Sequence, residues 1–260
     1  MSKPYALVMV DDAGAAARAT AELVITAAVD AVRRRGVFHF CTTGGSTPAA
    51  LYAVLREEAN VHRMPWSSTE IWFGDDRHVP RANPLSNLAA IDSVLVAPAA
   101  DGAPSPISPR AIHPWPTGEE GARAVNLYLS AAQSAGVEHT SAGVPIFDLL
   151  LIGIGGDAHC LSVFPGSPLT ATDAPVAAAT PAPTHIEPHV PRLTFSLGLL
   201  SAAHAVCATV VGEGKSTALA RILEGAGSTS ELPAKAALLP TATWIVDRAA
   251  ASGLHVTTER

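Results

Sequence analysis

The stretch FDLLLIGIGGDAHCLSVFPGSP, residues 147–168, decides the fold. Its apolar run, Leu149-Leu150-Leu151-Ile152, reads as a buried strand. The run breaks at Gly153-Ile154-Gly155-Gly156 into a tight turn that carries Asp157 and His159. In open α/β sheets, ligands bind beyond the C-terminal ends of the strands, so a polar turn at that position is a candidate site.

Working outward, the same strand–turn–helix logic recurs. Residues 15–35 form an Ala-rich helical pattern stopped by Arg33-Arg34-Arg35-Gly36. VFHFCT (37–42) is a strand, followed by TGGSTP and a helical stretch over 49–60. TEIWFG (69–74) is a strand, DDRHVPRANPLSN (75–87) a turn, and 88–97 a helix. Residues 99–116, rich in Pro, Ser and Gly, read as surface loop. A helix over 119–135 leads into the opening strand; RLTFSL (192–197), HAVCATVVG (204–212) and ATWIVD (242–247) are further strands, with a helix over 215–225. Strands alternating with helices predict a Rossmann-like three-layer α/β/α sandwich with a mostly parallel sheet. No linker divides residues 1–260, so one α/β domain is expected, with room for a small appended subdomain.

Composition agrees. At 260 residues, 48% apolar and 15% charged, the chain can bury a sizeable core. A net charge of -6 argues against a general nucleic-acid or membrane-surface binder, though a local cation cluster can still hold an anion. No apolar run reaches the roughly 18 residues of a membrane span. The N-terminal MSKPYALVMVDDAG has a short apolar run cut off by acids, unlike a secretory signal. Cys41, Cys160 and Cys207 are odd in number and lack metal-ligand spacing, so a reduced, cytoplasmic protein is the simplest account.

Four strand ends carry polar, glycine-containing turns. In Thr43-Gly44-Gly45-Ser46-Thr47-Pro48 the glycines allow close backbone approach, and Ser46 or Thr47 can cap a helix whose free N–H groups favour an anion; an ordinary cap turn is the plain alternative. Asp75-Asp76-Arg77-His78, with Ser86-Asn87 beyond, is hard to explain by packing, although Arg77 paired to Asp76 in a solvated turn would do so. In the third turn an imidazole can take a proton from water near neutral pH, and Asp157 is close enough to fix its tautomer. A dinucleotide fingerprint is set aside there, because Ala158 stands where its last glycine belongs. In Gly212-Glu213-Gly214-Lys215-Ser216 a triphosphate loop would require glycine at Thr209, so Lys215 more plausibly reaches a single phosphate. Arg192 opens another strand as a second anion ligand, while His39, His113, His139 and His204 read as structural histidines without partners.

The ordered set TGGSTP, DDRHVP with SN, LIGIGGDAHCLSVFPGSP, PRLTFSL and GEGK resembles the glucosamine-6-phosphate isomerase/6-phosphogluconolactonase family, on its lactonase side. The resemblance runs from about residue 42 to ATWIVD. It implies a sugar-phosphate isomerase/CoA-transferase-like sheet and hydrolysis of 6-phospho-D-glucono-1,5-lactone in the oxidative pentose phosphate pathway. No metal or organic cofactor is implied, and a monomer or weak dimer is expected. The departures are Ala158 for the usual glycine, Gly156 for a proline, Asp76 for a glutamate, and Cys160-Leu161 for Thr-Ala.

On this reading His159 is the general base and Asp157 orients it. Gly44, Gly45 and Ser46, with Lys215 and Arg192, hold the phosphate. Arg77 faces either the phosphate or the developing oxyanion. Asp75 and Asn87 bind sugar hydroxyls or position Arg77. Cys160 is packing rather than a nucleophile. Amino-sugar phosphate deaminases carry a glutamate where Phe164 stands, and an apolar ring cannot relay a proton. A non-catalytic sugar-phosphate sensor is the rival from another class.

Overall fold

The computed structural model describes residues 4–98 and 102–255. Residues 1–3 of the N-terminal run and 99–101 of the Pro/Ser/Gly-rich segment lie outside them. In chain order the strands are β1 (Ala6–Val10), β2 (Phe38–Thr42), β3 (Thr69–Phe73), β4 (Asp75–Arg77), β5 (Glu138–His139), β6 (Pro145–Ile146), β7 (Leu149–Ile152), β8 (Ala177–Thr180), β9 (Arg192–Phe195), β10 (Val206–Val210) and β11 (Ala242–Asp247).

A parallel sheet with order β1-β11-β10-β7-β2-β3 carries the fold, flanked by helices as the alternating pattern predicts. β7 lies between β10 and β2, and Leu149 and Leu150 have no exposed surface. From β2 the chain moves to β3 at one edge; from β7 it moves through β10 to β11 in the opposite direction. The strand order therefore reverses between β2 and β7. Their C-terminal ends lead into TGGSTP and the glycine turn, and the diverging connections leave a crevice between them.

The helices end where their chemistry says they should. Helix Ala13–Arg35 begins two residues before the Ala-rich pattern because Asp12 caps it, accepting from Ala15 N at 2.7 Å. It stops at Gly36, whose φ of 79° returns its N–H to Val32 O. Among the described residues no helix is long and apolar enough to cross a membrane.

Several expectations are corrected. ALVMV is the edge strand β1, paired with β11, rather than a bare apolar run. DDR is not a turn, and RLTFSL does not join the parallel sheet. They form β4 and β9 of a separate antiparallel sheet, β4-β9-β8. Antiparallel neighbours need no helical crossover, so alternation of strand and helix could not locate them. Part of the supposed surface loop is core: Ile107, Ile112 and Trp115 are buried. His113 N donates to Ile71 O at 2.8 Å and Trp115 Nε1 to Phe73 O at 3.0 Å, which covers the free edge of β3. His113 is also partnered, to Glu70 Oε2 at 2.6 Å and stacked on Trp72 at 3.8 Å. His39 Nδ1 accepts from Trp72 Nε1 at 3.3 Å.

Candidate active site

A cleft of about 330 Å³ opens at the β2/β7 crevice. Gly44, Gly45, Ser46, Asp75, Arg77, Asn87, His159, Arg192 and Lys215 all line it, and Asp157 stands behind His159. The chain thus gathers the residues singled out from five separate segments.

The glycine turn builds the acid–imidazole pair. Gly155 N donates to His159 O at 2.8 Å and Ala158 N to Gly155 O at 3.1 Å, closing the turn on itself. Asp157 Oδ1 then accepts from His159 Nδ1 at 2.5 Å and from His159 N at 3.2 Å. With Nδ1 taken, Nε2 is the ring nitrogen left for chemistry. A Cβ on Gly155 would fall 2.0 Å from His159 Nδ1, so glycine there is a steric requirement. Ala158 adopts φ 72° with its methyl buried, so the departure from glycine is accommodated in the left-handed region. Burial alone would raise the Asp157 carboxyl, but hydrogen bonds and charge from His159, with a hydrogen bond from His185, outweigh it and hold Asp157 well below the usual carboxylate range.

The TGGSTP loop turns into helix Ser46–Arg56. Neither Ser46 nor Thr47 caps it: the cap position is Gly45, at φ 103°, with no side-chain hydrogen bond. No side chain caps the first turn, and Ser46 and Thr47 line the cleft, which suits an anion better than a capped helix would.

Beside that loop, where Gly44 packs against Asn87, Asp76 is fully buried, and its Oδ1 accepts from Arg77 N and Asn87 N, each at 2.7 Å. Burial pushes its carboxyl up to about 6. The simple Asp76–Arg77 side-chain pair does not form. Arg77 Nη1 instead donates to Asn87 Oδ1 at 2.7 Å and Leu85 O at 2.9 Å, which positions its guanidinium on the cleft. Asn87 Nδ2 donates to Asp75 O at 2.8 Å, and Asp75 Oδ2 accepts from Ser162 Oγ at 2.5 Å.

Arg192 is 3% exposed and its guanidinium is held by neutral carbonyls, Val190 O at 2.6 Å and Pro188 O at 2.8 Å. Burial, then the nearby Arg77, lowers its pKa, and the opposing pull of Asp75 and Asp76 does not make up the difference. Lys215 Nζ donates to Ile154 O at 2.9 Å, across to the glycine turn. Burial pushes the Cys160 thiol up, and that side chain has no exposed surface, so it is packing as expected.

Three contributors escaped the sequence. His185 Nε2 meets Asp157 Oδ2 at 2.9 Å from a Pro-rich segment with no periodicity. Ser162 reaches Asp75 across 87 positions. Phe164, which in sequence marks only the absence of a deaminase glutamate, packs its ring 4.7 Å from that of His159.

Comparison with known proteins gives the chain its family and its fold relatives. The profile described as glucosamine-6-phosphate isomerases/6-phosphogluconolactonase matches residues 11–246. A 6-phosphogluconolactonase of Streptomyces coelicolor is 32% identical over 260 residues, covering 98% of this chain and 96% of its own. One from Synechocystis is 30% identical over 244 residues, covering 89% and 91%. The structure of 6-phosphogluconolactonase from Trypanosoma cruzi matches with a TM-score of 0.82 at 21% identity, over 98% of this chain and 99% of that one, a likeness of fold. The chain belongs to the glucosamine-6-phosphate isomerase/6-phosphogluconolactonase family.

Proposed function

We propose that the protein hydrolyses 6-phospho-D-glucono-1,5-lactone to 6-phospho-D-gluconate, with His159 as general base, as a cytoplasmic step of the oxidative pentose phosphate pathway. The observation that carries this reading is an Asp157-supported imidazole lining the same cleft as Arg77, Arg192 and Lys215. An ester carbon needs the first group, and a phosphate needs the second set.

His159 Nε2 takes a proton from water as the water oxygen bonds to the lactone carbonyl carbon. The carbonyl oxygen becomes an oxyanion. Asp157 stabilises the imidazolium through Nδ1. Collapse breaks the bond to the ring oxygen, which leaves with the proton returned by Nε2. The resulting carboxylic acid ionises to solvent. Gly44, Gly45, Ser46, Arg192 and Lys215 clasp the phosphate, Arg77 adds positive charge facing the anionic substrate, and Asp75 and Asn87 accept and donate to sugar hydroxyls. This route uses protein groups and water alone.

The deaminase alternative lacks support, because the ring beside His159 is Phe164, which cannot carry a proton. The decisive experiment follows loss of freshly generated lactone with wild type beside His159→Ala. Turnover by wild type that collapses in the variant supports the proposal. Wild-type loss no faster than the blank, with phosphogluconate still bound, would leave a sensor instead.

A further inference from the structure

Asp157 serves two imidazoles. Its Oδ1 takes His159, while Oδ2 accepts from His185 Nε2 at 2.9 Å. The His185 ring packs edge-on against Phe164 at 5.7 Å, and Phe164 packs against His159, so the two histidines share an aromatic neighbour as well as a carboxylate. His185 begins a short segment whose next residues, Ile186 and Glu187, line the cleft. Pro188 and Val190 then supply the carbonyls that hold Arg192. One stretch of chain therefore touches both the acid–base pair and the buried cation.

We infer that His185 is a positioning residue for the reaction, a reading that rests on His159 acting as base. A carboxyl group turns about a broad sp³–sp² torsion, so a partner on one oxygen alone leaves its plane poorly fixed. A second N–H on Oδ2 locks that plane with Oδ1 against His159 Nδ1. That keeps the tautomer in which Nε2 is unprotonated and ready for water. His185 has no role in gripping the substrate, so its loss shows in turnover rather than in affinity.

Two variants of the full chain separate this from simple packing. His185→Phe keeps the ring against Phe164 and removes the donor. His185→Gln removes the ring and keeps a donor. The Phe variant is expected to lose about tenfold in kcat, the scale of one hydrogen bond to a charged group, with KM within about twofold. The Gln variant is expected to recover most of that loss. In an Asp157→Asn background, His185→Phe is expected to cost nothing further, since both act through one carboxylate. A Phe variant with wild-type kcat, a Gln variant as impaired as the Phe variant, a change confined to KM, or additive losses would each overturn the inference. If His159→Ala itself kept wild-type turnover, the general-base reading would fall first. An inactive His159→Ala beside a fully active His185→Phe would sink only the role given to His185.

Discussion

Arg77 and Arg192 stand directly opposite one another across the antiparallel pair of β4 and β9. Like charges placed so are destabilising, and Asp75 and Asp76 offset the pair only in part, since burial and Arg77 still hold the Arg192 pKa down. Phosphogluconate is therefore expected to raise Tm, by an amount equivalent to about 2.7 kcal/mol at a hundredfold excess over Kd. Arg192→Met should lose most of that ligand-dependent rise, whatever its own starting Tm. Thermal melts with and without the ligand check this; an undiminished rise in the variant would remove Arg192 from the anion site.

His159→Ala is expected to lower kcat by about 10²–10⁴-fold, the usual share of a positioned base. Binding of phosphogluconate should change far less, because the imidazole acts mainly in the transition state. Asp157→Asn should also be severely impaired, since an amide cannot stabilise the imidazolium. Steady-state rates beside calorimetric product binding test both. Equal losses in kcat and in product affinity would count against the base assignment.

Lys215→Ala is expected mostly to raise KM. Its ammonium bridges to Ile154 O and supplies charge to the cleft, but it is not asked to transfer a proton. A variant with unchanged KM and depressed kcat would move Lys215 from the phosphate to the reacting carbon.

Asp76 gives a pH signature in stability. The folded state binds its proton more tightly than the unfolded chain does, so stability falls as pH rises from the ordinary 3.8 to about 6 and is flat above. The gap between 3.8 and about 6 corresponds to about 3 kcal/mol at 1.36 kcal/mol per pH unit. Asp76→Asn fits the site without titrating: Oδ1 can keep both backbone donors, and the Ser86 hydroxyl, now 3.1 Å from Oδ2, can turn to accept. Chemical denaturation of both proteins at pH 4 and pH 7 should show wild type losing ground to the variant. A constant difference would contradict a raised Asp76.

Ala158→Gly sets one stabilising term against two destabilising ones. Relief of the left-handed conformation is worth about 1–2 kcal/mol. Loss of a buried methyl costs about 0.8 kcal/mol, and added freedom in the unfolded chain costs about 0.5–1 kcal/mol. The variant is expected within about 1 kcal/mol of wild type by denaturant unfolding. A change beyond about 2 kcal/mol in either direction would show that the turn itself rearranges.

What was legible from sequence was local. Leu149–Ile152 and its glycine turn announce themselves because the apolar run, the break and the Asp157–His159 spacing lie within a dozen residues of one another. TGGSTP and GEGK are legible for the same reason. β4 is three polar residues that become a strand only because β9 offers them hydrogen bonds. β1 is partly exposed and short, and its pairing with β11 depends on the far end of the chain. His185 gains its importance from a contact 28 positions away, inside a segment whose prolines suppress any periodic signal. Ser162 and Asp75 meet through tertiary packing alone.

The reversal of strand order between β2 and β7 also bears on assembly in time. Phe40 and Cys41 pair with Leu149 and Leu150 across a separation of more than a hundred positions, and the two walls of the cleft hang from those pairings. A chain that has collapsed on either side without zipping this seam holds the TGGSTP loop and the proposed base, His159, on unconnected pieces. During refolding, recovered turnover is thus a clock for one late event, the joining of the two flanks, and should lag any probe of helix content.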